Sequence, residues 1–108
     1  MRLTTEFWVK AYLARLRLAD IPAYVVAHCD DTGGAVLIKV ATLDGQARLF
    51  QRSFDLMTGE RAWLVLNEGA EVDVDGSIRR QREMDPDLWV IELEDRAGRH
   101  LLDEPGLT

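Results

Sequence analysis

Asp87, Glu92 and Glu94 come nearest to chemistry in this chain. A Pro86-Asp87 pair stands ahead of the run Trp89-Val90-Ile91-Glu92-Leu93-Glu94-Asp95. Metal-dependent nucleases place one carboxylate at a strand start and a second, with a lysine, on the next strand. The carboxylates hold Mg²⁺ and the lysine stabilises charge or positions water. In that scheme Asp87, Glu92 and Glu94 would be metal ligands of a phosphodiesterase-like hydrolase. Two features depart from it. Asp87 and Glu92 fall on one strand, and Glu94 stands where the lysine belongs. Val90, Glu92 and Glu94 share one strand face and Trp89, Ile91 and Leu93 the other. That alternation belongs to any half-buried antiparallel strand. The segment is read as a solvated face, with metal-assisted hydrolysis as the alternative.

The remaining reactive residues add little. Cys29 lies beside His28, but neighbouring strand residues point to opposite faces, so His28 does not serve the thiol as a base. A lone cysteine is read as a small buried hydrophobe. No CxxC or HxxxH spacing makes a metal site. Arg79, Arg80, Arg82, Arg96 and Arg99 are interleaved with Glu83, Asp85, Asp87, Glu92, Glu94 and Asp95. They are expected in surface ion pairs rather than in a phosphate patch. No glycine-rich loop opens a helix after a strand. No cofactor is expected, and the chain is read as non-enzymatic.

The bounds are those of one ordinary domain. The chain has 108 residues, 47% hydrophobic and 30% charged, with a net charge of −6. No apolar run approaches the roughly 18–20 residues of a membrane span. The first residues lack a signal-peptide pattern, and the single cysteine makes no internal disulfide. A cytoplasmic location is the expectation. The acidic balance argues against nucleic acid as a partner. Charge is uneven: residues 1–54 carry +2 and residues 55–108 carry −8. Such halves can attract each other within one fold, or dock one molecule on another.

The elements that must position these residues follow from periodicity and turn chemistry. A helix is predicted from Thr5 to Ala19, capped by Thr4 or Thr5 and stopped by Ile21-Pro22. Strands are predicted over 23–29, 35–43, 46–54 and 61–69, with Asp44-Gly45 as a two-residue hairpin turn. A second helix spans 70–84 and ends at Asp85-Pro86. A fifth strand covers 87–95, and residues 96–102 form a hairpin return or a short tail helix. The order α-β-β-β-β-α-β gives an α+β fold: a mostly antiparallel sheet of about five strands with two helices covering one face.

The segments "FWVKAYLARLRLADIPAYVV", "GAVLIKVATLDGQARLFQR" and "DPDLWVIELEDRAGRHLLDEP" together resemble a small bacterial domain family of unknown function, family 1491. The resemblance spans roughly residues 2–105. It implies a stand-alone bacterial cytoplasmic domain and carries no activity, cofactor or site residue.

The first helix says more about role. Projected at about 100° per residue, Glu6, Lys10 and Arg17 form a narrow polar stripe. Phe7, Trp8, Val9, Ala11, Tyr12, Leu16, Leu18 and Ala19 fill most of the remaining circumference. That is more apolar surface than one sheet needs, so the second helix, the tail or another molecule should cover it. Arg15 lies inside the apolar arc with Trp8 and Tyr12. It either snorkels to water or stacks on one of the rings and pairs with an acid. Trp8, Tyr12 and Arg15 are the expected interface residues, and the expected partner is a second copy or another protein, not a membrane. A small-ligand pocket between this helix and the sheet is a further alternative.

Overall fold

The structure is a computed structural model that describes residues 5–28, 35–54, 57–59 and 61–104. The elements run α1 (Thr5–Leu18), β1 (Ala23–Ala27), β2 (Val36–Ala41), β3 (Gln46–Phe54), β4 (Arg61–Ala70), α2 (Glu71–Met84) and β5 (Trp89–Glu94). The order is the one expected, and the fold is α+β. Residues 96–102 form neither a helix nor a strand. They run as a turn-rich segment whose Leu102 is buried in the core.

The five strands make one sheet in the order β1-β5-β2-β3-β4. It is mixed rather than purely antiparallel, because β2 and β5 pair in parallel, Val36 opposite Trp89 through Ala41 opposite Glu94. The cause is α2. It carries the chain back across the sheet from β4, so β5 starts at the same end as β2 and slots in beside it.

The helices also cover both faces, not one. Val36, Ile38, Val40, Trp89, Ile91 and Leu93 share a cluster with Trp8, Val9, Tyr12 and Leu16 of α1. Leu37, Leu49 and Val90 share another with Val74 and Ile78 of α2. All six residues of β2 are buried as a result. The unbroken run Val36-Leu37-Ile38 is the pattern of a strand covered on both sides.

Turn chemistry explains the connections. α1 ends in a Schellman pair: Asp20 N–H donates to Arg17 O and Ile21 N–H to Leu16 O. Asp20 adopts the left-handed conformation, with φ 59°. The β2–β3 turn is one residue longer than expected. Ala41 and Ala47 are the last pair, and both Leu43 (φ 64°) and Gly45 (φ 87°) are left-handed. The Asp44 carboxylate braces the loop by accepting from the Thr42 hydroxyl and from Gln46 N–H.

The apolar surplus of α1 is mostly absorbed within the chain. The Tyr12 hydroxyl donates to His100 O at 2.8 Å, and burial pushes its pKa up. The His100 ring lies 4.7 Å from Phe50, and its Nδ1 accepts the Leu102 N–H at 3.0 Å. Burial lowers the pKa of His100, Asp103 opposes that shift, and Arg48 adds to it. The unfolded chain therefore takes up the proton first, beginning near pH 6.5. Stability present above that value is lost as pH falls towards the folded pKa. His100→Asn keeps an acceptor two residues before the Leu102 N–H but does not titrate. It is expected to match the wild type at pH 7.5 and to flatten the melting-temperature profile below about pH 6.5. An unchanged acid slope would show that this imidazole does not govern it.

Candidate functional site

The densest polar constellation surrounds Lys39, a lone charge within the apolar run of β2. Its side chain is 2% exposed. Nζ lies 2.6 Å from Asp75 Oδ1, 2.8 Å from Glu71 Oε2 and 3.0 Å from Glu92 Oε1. Three elements place these groups. Glu71 and Asp75 are one turn apart on α2, and Glu92 lies directly opposite Lys39 on the parallel strand β5. Burial pushes the pKa of Lys39 down; the hydrogen bonds it donates to Asp75, Glu71 and Glu92 outweigh that and hold the ammonium above its ordinary value. A lysine acting as nucleophile or general base must be neutral. This cage favours the opposite state, so its chemistry is electrostatic: it clamps α2 to the sheet.

Glu92 thus has an internal cation as its partner. Glu94 lies two residues further along the same strand face and is half-buried, while Asp87 is exposed in the turn before β5. Asp87 N–H donates to Asp85 Oδ1. At about 3.3 Å per strand residue, the three expected ligands are strung along β5 rather than converged on one point. Among the described residues, no group of three or more His, Cys, Asp or Glu is arranged to hold a metal ion. Arg79, Arg80 and Arg82 are exposed on α2. Arg99 holds Asp95 at 2.9 Å, and its hydrogen bonds lower the Asp95 pKa. Cys29 lies outside the described residues. His28 is exposed, and its ring stacks 5.2 Å from Trp89.

The α1 residues expected at an interface differ in exposure. Trp8 is 5% and Tyr12 0% exposed. They stack on each other at 4.9 Å, and Trp63 from β4 closes on Trp8 at 5.3 Å. The guanidinium over the Trp8 ring, 4.5 Å from its centre, belongs to Arg52 of β3. Arg15 is partly exposed and pairs with Glu104 at 3.8 Å. Phe7 and Leu18 are the large apolar residues of α1 left exposed. The space between α1 and the sheet is filled by the core cluster. A depression of about 300 Å³ lies at the C-terminal end of α1 against Arg15, Leu18, Ala19, Leu101 and Glu104.

Among the described residues an open surface runs along the outer edge of β4, the last strand of the sheet; the opposite edge strand, β1, also exposes Tyr24, Val25 and Val26. From Ala62 to Asn67 β4 carries no charge and no proline. Leu64, Val65 and Leu66 are 56%, 49% and 39% exposed. The strand contains a bulge: Phe50 faces Val65 and Leu49 faces Asn67, which leaves Leu66 without a counterpart on β3. Proteins ordinarily blunt long edges with lysine, proline or short strands. The other edge, β1, follows Pro22 and has only five residues. Sequence periodicity located β4 but not its place at the rim, because edge or centre is a property of the sheet order.

A family model described as "Protein of unknown function (DUF1491)" matches residues 3–103. The crystal structure of a DUF1491 family protein from Caulobacter crescentus CB15 is 42% identical and superposes with a TM-score of 0.86, covering 96% of this chain and 98% of that one. An NMR structure of a DUF1491 family protein from the same organism gives 42% identity and a TM-score of 0.82, over 97% of this chain and 96% of that one. A solution structure of a protein from A. tumefaciens is 26% identical over 87% of this chain and 86% of that one, with a TM-score of 0.73. No curated protein matches. No described helix is long and apolar enough to cross a membrane.

Proposed function

The chain belongs to the DUF1491 family, for which no activity is assigned, and from that premise we propose that it is a non-enzymatic association module that pairs through the open edge of β4. The observation that carries this reading is the uncharged, exposed run Leu64-Val65-Leu66 on an edge strand that has no second neighbour among the described residues. An exposed apolar edge offers a row of backbone donors and acceptors together with apolar side chains, the two ingredients of strand addition. The hydrolase alternative at Asp87, Glu92 and Glu94 has weaker support, since Glu92 is engaged by Lys39 at 3.0 Å.

Solution mass by size exclusion with light scattering, at about 100 µM chain and at low and high salt, tests the reading. The expectation is an associated mass that persists in salt, because an apolar edge is not screened. Leu64→Lys, a charge on the exposed edge, should return the monomer without changing the melting temperature. A monomer under all conditions would overturn the proposal. Heat evolved on Mg²⁺ or Mn²⁺ titration, lost in Glu94→Gln, would move the function to the acidic strand.

A further inference from the structure

The open edge of β4 has a charge pattern that complements itself when reversed. Position 61 is an arginine, positions 62–67 are uncharged, and position 68 is a glutamate. A strand laid antiparallel against its own copy meets that pattern backwards, so the basic end of each faces the acidic end of the other.

Backbone geometry decides whether this pairing can form. Residues directly opposite in an antiparallel pair must face the same way. In a regular strand 61 and 68 face opposite ways, and the charges could not meet. β4 is not regular. Against β3, positions 61, 63, 65, 68 and 70 pair with even-numbered residues, and 62, 64, 67 and 69 with odd-numbered ones. The extra residue at Leu66 has switched the alternation and put 61 and 68 on the same side. A two-fold axis through Leu64 then satisfies every position. Leu64 faces its own copy, Trp63 faces Val65, Ala62 faces Asn67, and 61 faces Glu68. β3 already pairs with the bulged strand along its whole length, so the bulge does not bar a second neighbour.

We infer that the occupant of this edge is a second copy of the chain, paired antiparallel about Leu64 with positions 61 and 68 in register, making one continuous ten-stranded sheet from two five-stranded ones. This rests on the association reading above and adds the partner and the register. An edge-to-edge contact is at the small end of interface sizes, so a micromolar dimer is expected.

Cross-linking tests it. In a Cys29→Ser background, which removes the only native thiol, Leu64→Cys should oxidise to a covalent dimer. Directly opposed strand residues have Cα atoms about 4.5–5.5 Å apart, inside the range a disulfide spans. Ala62→Cys should not cross-link, because its own copy is displaced four register steps, about 13 Å along the strand. Arg61→Glu should weaken the dimer by about tenfold, since two cross-strand attractions become repulsions. Arg61 is chosen because Glu68 also holds Arg48 within the chain, at 3.3 Å. Cross-linking at Leu64 with silence at Ala62 supports the inference. An associated mass that fails to cross-link at Leu64 overturns the register and leaves the association reading standing. A monomer overturns both.

Discussion

Lys39→Met is expected to lower stability by about 2–3 kcal/mol, near the lower bound of what removing one partner from a buried ion pair costs. The discount arises because Glu71, Asp75 and Glu92 keep part of their hydration, with side chains 40%, 49% and 34% exposed. Methionine conserves the unbranched stem and its packing in β2, so little of the loss comes from a cavity. What remains is three carboxylates facing one another without their cation. In a domain of this size that corresponds to a melting-temperature drop of about 10–20 °C. The folded pKa of Lys39 is raised, so its contribution is complete below the unfolded value near 10.4 and is lost as pH climbs beyond it towards the folded one. The wild type should therefore lose its advantage over the variant only above that value. Thermal melts of both chains at about pH 7 and 11 measure both points. Equal stability at pH 7 would mean that α2 is held by Val74 and Ile78 alone.

Trp8→Ala should be the more damaging change, at about 3–5 kcal/mol. The indole is buried where three parts of the chain meet: Tyr12 on its own helix, Trp63 on β4 and the Arg52 guanidinium on β3. Its removal unseats α1 and the β3–β4 hairpin together. Arg52→Ala should cost about 1–2 kcal/mol through the lost cation–π contact. Arg15→Ala should cost under about 1 kcal/mol, as for an exposed pair. Denaturant titration of the three variants gives the ranking directly. An Arg15 effect as large as that of Arg52 would show that the stacking contact at the Trp8 face is not the stronger of the two.

That ranking also marks where sequence reasoning reached its end. It offered, as an alternative to a snorkelling Arg15, that this one guanidinium would both stack on Trp8 or Tyr12 and pair with an acid. The structure divides those roles between Arg52 and Arg15. The helix wheel could not see a residue arriving from another strand. The order of elements and most of their boundaries were legible, because turn chemistry and periodicity are local. The parallel β2–β5 pair and the cover on both faces were not, because they depend on where α2 delivers β5. One signal was available: a strand with apolar residues on both faces and a single lysine needs acids close by. Glu71 and Asp75, one turn apart on the following helix, were the candidates to supply them. The charge asymmetry was real as well. Lys39, Arg15 and Arg48 from the first half pair with Glu71, Asp75, Glu92, Glu104 and Glu68 from the second. The bulge at Leu66, on which the proposed pairing depends, leaves no mark in composition or period.

The position of β5 reaches into how the chain comes to be folded. Among the described residues it is the last strand in sequence, yet it lies between β1 and β2 and is the only strand that β1 pairs with. A nascent chain can close β2, β3 and β4 into a meander as soon as they emerge. β1 must wait for β5, roughly seventy residues further on, several seconds at ordinary synthesis rates. Until then α1 can settle on β2 and β3 but lacks Trp89, Ile91 and Leu93 beneath it. Closure of so long a loop is slow and comes late, and the sheet is completed when β5 slots in between β1 and β2.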